Sequence, residues 1–196
     1  MKYLSFDLEA TGLEEDCLII EFAMIPFCSV EKKVNHGLAR EFYIKCPSFE
    51  DLKDGLNPWV RDNMKSVIDR AHSKGIPLKD FKNSLIQYLE SPEVTNYFQC
   101  PKDRNIVLFG KSVNAIDLPF LNRDLGWDFM RKYFHHQALD LSGVAYSLVD
   151  QKKIPSECIS GSELMKFLKM GEVEHTALAD AVNTANMYLK LLEICS

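Results

Sequence analysis

The strongest constraint in this chain is an alternation at its start. Along residues 2–9, Tyr3, Ser5, Asp7 and Glu9 point to one side of an extended backbone, and Leu4, Phe6 and Leu8 point to the other. A period of two is strand periodicity, and apolar neighbours on both sides of Asp7-Leu8-Glu9 place that strand in the middle of a sheet. Two carboxylates on one face of a central strand repel each other unless a proton or a cation intervenes. Either the acids end an exposed strand, or they hold a hard cation such as Mg²⁺ or Mn²⁺, which prefers oxygen ligands.

The remaining segments extend the sheet. Residues 18–28 and 39–46 are apolar runs joined by the polar stretch 29–37, as in an antiparallel meander. Residues 47–77 read as loops and short helices. Pro77 opens a helix carrying Leu78, Phe81, Leu85, Ile86 and Leu89, and Pro92 is expected to stop it. The run NIVLFG at 105–110 is a fourth strand, followed by a helix with Pro119 in its first turn and Gly126 at its end. Residues 138–141 make a fifth strand. Helices near 144–149 and 162–170 follow, and a terminal one covers about 175–194. The expected fold is α/β: a mixed five-stranded sheet, antiparallel meander plus parallel strands, with helices on both faces. The whole chain, 1–196, is expected to form a single domain.

Two further acids fall at informative places. Asp117 follows the fourth strand at the start of a helix, either as an N-terminal cap or at the carboxyl end of a parallel strand, where open α/β sheets bind ligands. In the terminal helix, Leu178, Ala181, Val182, Ala185, Leu189 and Leu192 form the main apolar stripe, and Asn183, Asn186, Lys190 and Glu193 form the wet side. Asp180 belongs to neither; it shares a column with Met187 and Leu191 and needs a partner. His175 precedes it by five residues and has the side chain best matched to taking a proton near neutral pH.

This arrangement resembles the DEDDh (DnaQ-like) 3′-to-5′ exonucleases, the group with proofreading exonucleases, RNase T and oligoribonuclease. The resemblance is carried by F-D-L-E-A-T-G-L at 6–13, I-D-L-P-F-L at 116–121 and H-T-A-L-A-D-A at 175–181. A sister group has tyrosine four residues before the last aspartate; Thr176 stands there, so the histidine variant is indicated. The resemblance implies an RNase H-like fold and a single exonuclease domain. It also implies hydrolysis of phosphodiester bonds at the 3′ end of single-stranded or short RNA or DNA, releasing nucleoside 5′-monophosphates.

The resemblance further implies roles for individual residues. Asp7, Glu9, Asp117 and Asp180 would hold two divalent cations, Mg²⁺ or Mn²⁺, with Asp117 acting largely through bound water, and His175 would be the general base. Ala10, Thr11 and Gly12 would lie at the terminal sugar, and Leu13 would pack on the terminal base unless it is a core leucine. Many members carry Asn four or five residues before the middle aspartate; here those positions are Val113 and Ser112, which puts local substrate contacts in doubt. N-P-W-V-R around Trp59 is similar to a segment of oligoribonuclease-like members, although Trp59 is expected to be a packing residue, and His135-His136 is expected to be structural.

Charge bears on the partner. With 23 Lys plus Arg against 28 Asp plus Glu, the net charge of −5 excludes a general polyanion binder, but two dications would bring it to about −1. The dispersed basic residues favour short oligonucleotides or a 3′ overhang over a long bound strand. The six cysteines, at 17, 28, 46, 100, 158 and 195, have no zinc-ligand spacing, and no apolar run approaches a membrane span. The expectation is a cytoplasmic protein without a membrane partner, with a homodimer possible because related exonucleases commonly pair. A catalytically idle nucleic-acid- or protein-binding module on the same fold is the competing reading; losing a metal acid would favour it, and none is lost.

Overall fold

A computed structural model describes residues 1–99, 106–171 and 176–195. The alternating N-terminal segment forms β1 (Lys2–Ala10) and lies inside the sheet, antiparallel to β2 (Ile19–Cys28) on one side and parallel to β5 (Leu108–Gly110) on the other. The fifth position is β6 (Leu139–Asp140), parallel to β5. The mixed α/β fold is the one expected, but the sheet has six strands, not five. β2 spans ten residues, and two short strands share its outer edge: β3 (Lys33–Val34) pairs with Phe27 and Cys28, and β4 (Arg40–Tyr43) pairs with residues 21–24.

Helices cover both faces. After β4 come α1 (Phe49–Leu52), α2 (Pro58–Asn63), α3 (Lys65–Lys74), α4 (Leu78–Leu89) and α5 (Pro92–Phe98). Between β5 and β6 lie α6 (Asp117–Leu125) and α7 (Trp127–Tyr133), and after β6 come α8 (Leu141–Asp150), α9 (Gly161–Phe167) and α10 (Ala177–Ile194). Pro92 opens α5 instead of only ending α4, because the Ser91 hydroxyl accepts the Val94 amide and proline is tolerated in a first turn. Sequence reading misses α7, whose amphipathic stretch follows directly on Gly126.

The two faces of β1 enter different cores. Leu4, Phe6 and Leu8 pack with Phe22 and Met24 against Phe81 and Leu85 of α4 and Phe120 and Leu121 of α6. Tyr3, on the acid-bearing face, packs with Ile25, Phe27 and Phe109 against Ala145 of α8 and Ala181, Ala185 and Leu189 of α10. The buried side of α10 is rotated from the expected stripe: Leu178, Val182 and Leu192 are half-buried, whereas Thr184, Met187 and Leu191, in the column of Asp180, are buried. Ala177, Ala181 and Ala185 have no exposed surface and let α10 lie close to the sheet, where the buried Ser5 hydroxyl donates to the Ala181 carbonyl at 2.7 Å.

Trp59 corrects an expectation: it is 65% exposed on α2, and the core beneath that helix is made by Val60 with Ile20, Met64 and Ile68. The prediction is therefore asymmetric. Ala181→Leu overfills the contact between α10 and β1 and should destabilise by about 1–3 kcal/mol in chemical denaturation. Trp59→Ala should stay within about 0.5 kcal/mol of the parent.

Candidate active site

Three carboxylates meet where α10 crosses the carboxyl-terminal half of β1. Oxygens of Asp7, Glu9 and Asp180 all lie within 4.8 Å of one another, and each residue is half-buried. Asp7 and Glu9 are two apart on one strand and share a face; Asp180 is the fourth residue of α10, presented to them because its column is the buried one. The fourth acid, Asp117, is buried at the first position of α6, outside that 4.8 Å set but coupled electrostatically to Asp7 and Glu9.

Its approach is fixed by the turn after β5. Ser112 adopts a left-handed φ of 59°, its amide donates to Asp140 at 2.9 Å, and its hydroxyl is 3.0 Å from that of Ser142. Val113 is buried, and Asn114 also bonds to Asp140. Ser112 and Val113 thus hold the turn that leads to Asp117.

Electrostatics at this cluster are unfavourable without a cation. Burial, followed by repulsion from Asp117, Glu9, Asp180 and Glu21, raises the Asp7 carboxyl well above the ordinary range. Burial and then repulsion from Asp180 and Asp117 push Glu9 up to about 7. Asp117 also rises to about 7 through burial, against backbone hydrogen bonds at its own residue and Leu8 that pull the other way. No ion pair among the described residues involves Asp7, Glu9 or Asp117. Oxygen donors clustered this closely, with their carboxyls raised by burial and mutual repulsion, fit a hard divalent cation.

Beside the acids, the chain turns sharply after the half-buried Ala10. Thr11 is buried and spent on the turn, its hydroxyl accepting the Leu18 amide and its own amide donating to the Leu18 carbonyl, both at 2.9 Å. At Gly12 a Cβ would lie 2.6 Å from Cys17 Sγ and 2.7 Å from a Glu14 carboxylate oxygen, so both side chains would have to shift to admit one. Leu13 is 71% exposed, which removes the core-leucine alternative. His175 lies outside the described residues, one position before Thr176, the N-cap of α10. The rings of His135 and His136 stack on each other at 4.3 Å.

Sequence reading missed one carboxylate. Glu21, the third residue of β2, is fully buried directly across from Glu9, and one of its oxygens accepts the Ala177 amide at 3.2 Å. Burial, followed by repulsion from Glu41 and Glu9, lifts it to about 7. The available signal was a lone acid inside the otherwise apolar run IIEFAMI.

No protein-family model and no curated protein sequence matches the chain. Solved structures do. Cell-death related nuclease 4 (CRN-4) superposes with a TM-score of 0.72 at 14% identity, over 98% of this chain and 64% of that one. The nuclease domain of 3′hExo, described as a DEDDh family member bound to rAMP, gives 0.66 at 14% identity over 98% and 92%. E. coli Exonuclease I in complex with a 5cy-dT13 oligonucleotide gives 0.62 at 17% over 98% and 40%, so the chain spans less than half of that protein. At these identities the likeness is one of fold: a mixed sheet flanked by helices, of the RNase H-like kind found in exonucleases.

A prediction follows from the raised carboxyls. Between about pH 4.5, the ordinary glutamate value, and about 7, the folded metal-free chain holds the Glu9 proton more tightly than the unfolded chain. That stabilisation is complete below the ordinary carboxylate range and is lost as pH rises through about 7. In thermal unfolding with chelator, the midpoint should fall between pH 5 and 8, and Mn²⁺ added at pH 8 should restore it. A midpoint that rises over this range, or ignores Mn²⁺, contradicts the site.

Proposed function

We propose that this chain is a metal-dependent 3′-to-5′ exonuclease that removes nucleoside 5′-monophosphates from single-stranded or short RNA or DNA. The observation that carries the reading is the meeting of Asp7, Glu9 and Asp180 from two distant parts of the sequence within 4.8 Å. The fold shared with exonucleases and the blocks at 6–13, 116–121 and 175–181 support it.

Asp7, Glu9 and Asp180 would hold one divalent cation, and Asp7 with Asp117 would serve a second. Bound there, Mg²⁺ or Mn²⁺ would lower the pKa of water and neutralise charge on the scissile phosphate and the leaving oxygen. His175 would take the proton of the attacking water as the new O–P bond forms and the bond to the 3′ oxygen breaks, leaving a shortened strand with a 3′-hydroxyl. Leu13, exposed beside the acids, offers an apolar surface on which any terminal base can stack, as an end-specific and sequence-tolerant nuclease requires. Residues 10–12 supply the backbone against which the last sugar would rest.

The test uses 5′-labelled RNA and DNA oligomers of several lengths with Mg²⁺ or Mn²⁺. A ladder shortening from the 3′ end and abolished by EDTA is expected. Asp7→Ala and Asp180→Ala should remove both activity and Mn²⁺-dependent stabilisation. His175→Ala should keep the stabilisation and lose about 10²-fold or more in turnover. Internal cuts, or activity indifferent to these substitutions, contradict the assignment.

A further inference from the structure

Glu21 is a buried carboxylate that the four-acid scheme does not use. Its Oε1 accepts the amide of Ala177, the first residue of α10, while its Oε2 has no well-formed hydrogen bond among the described residues and the neighbouring acid Glu41 of β4 repels it. A fully buried carboxylate with one oxygen unsatisfied is costly, so its position in β2 calls for a compensating role.

The hydrogen bonds around α10 suggest one. Thr176 serves the first turn from within, its hydroxyl accepting the Ala179 amide and its carbonyl accepting the Asp180 amide. The Ala177 amide instead reaches outward to the sheet, and a carboxylate at a helix N-terminus is favourably placed in the field of the helix. One turn on, Ser5 ties the Ala181 carbonyl to β1. Asp180 lies between these two ties in sequence. Glu21 stands opposite Glu9 on β1 and Tyr43 on β4, so the strand that supplies the tie also flanks the strand that carries Asp7 and Glu9.

We propose that Glu21 is a positioning residue: by accepting the Ala177 amide it sets the height and rotation of the first turn of α10, so that Asp180 reaches Asp7 and Glu9 in one cation site. Only the kinetic part of this proposal rests on the nuclease reading; the cation-binding part stands without it. The contact needs an oxygen at Oε1 and no negative charge, so glutamine serves and leucine does not.

The experiment compares Mn²⁺ affinity by calorimetry, hydrogen exchange at the Ala177 amide, and turnover of a labelled oligonucleotide in the parent, Glu21→Gln, Glu21→Leu and Leu164→Ala proteins. Glu21→Leu should weaken Mn²⁺ binding and turnover by about 10- to 100-fold, the usual range for loss of a group that orients a ligand, and should speed exchange at Ala177. Glu21→Gln should retain Mn²⁺ affinity and Ala177 protection close to the parent. Leu164→Ala, in the core beneath α9, should lower the melting temperature with Mn²⁺ affinity unchanged, separating loss of stability from loss of position. Parent-like Mn²⁺ affinity in Glu21→Leu, or a loss in Glu21→Gln as large as in Glu21→Leu, overturns the proposal. If Glu21→Leu does not fold, Glu21→Gln decides alone, and loss of either Mn²⁺ affinity or Ala177 protection overturns it. If the Mn²⁺ results come out as expected while the parent protein degrades no oligonucleotide, the positioning role stands and the nuclease reading falls.

Discussion

Like-charge repulsion at the centre of the sheet is the constraint to which the rest of the structure answers. Asp7, Glu9, Asp117 and Glu21 all lie at the junction of β1, β2, α6 and α10, and the carboxyl of each is raised by burial. Seven ion pairs are seen among the described residues, and none of them reaches these four acids. Such a concentration of charge is tolerable in an apolar interior only with protons or cations bound. Apolar burial on both faces of β1 supplies the stability that holds the arrangement together, through Phe6 and Phe22 on one face and Phe27 and Phe109 on the other.

The topology explains why the acids converge at this end. β1 lies between antiparallel β2 and parallel β5, so the carboxyl ends of β1 and β5 lie at the same edge of the sheet. Ligands of open α/β sheets bind outside the carboxyl ends of the strands. Glu9 lies near the end of β1, Asp117 follows the turn after β5, and α10 brings Asp180 across the same end. The register irregularity between Glu9 and Ala10 leaves Ile20 as an extra residue on β2, and that side chain enters the small core under α1 to α3.

Much of this was legible in the chain because periodicity reports burial. The alternation of residues 2–9 separated the acid-bearing face of β1 from its apolar face, and the odd column of Asp180 set it apart from the wet side of α10, although the buried face itself was placed too far round the helix. Elements without a period were harder to read. β2 is buried along its whole length, so it shows no alternation, and nothing in its sequence announces that two short strands share its edge. α5 and α7 are seven residues each, too short for an apolar stripe to stand out. Trp59 looked like core because large aromatics usually are, yet Val60 beside it fills that place. Glu21 was hidden for the opposite reason: a single charge in an apolar run carries no spacing to match.

Manganese anomalous diffraction tests the central claim most directly, on crystals of the parent protein grown with Mn²⁺ and a nucleoside 5′-monophosphate. The account predicts a peak held by oxygens of Asp7, Glu9 and Asp180, with the nucleotide phosphate against it. A map with no peak among those three side chains, or with manganese bound elsewhere while they stand apart, would contradict it.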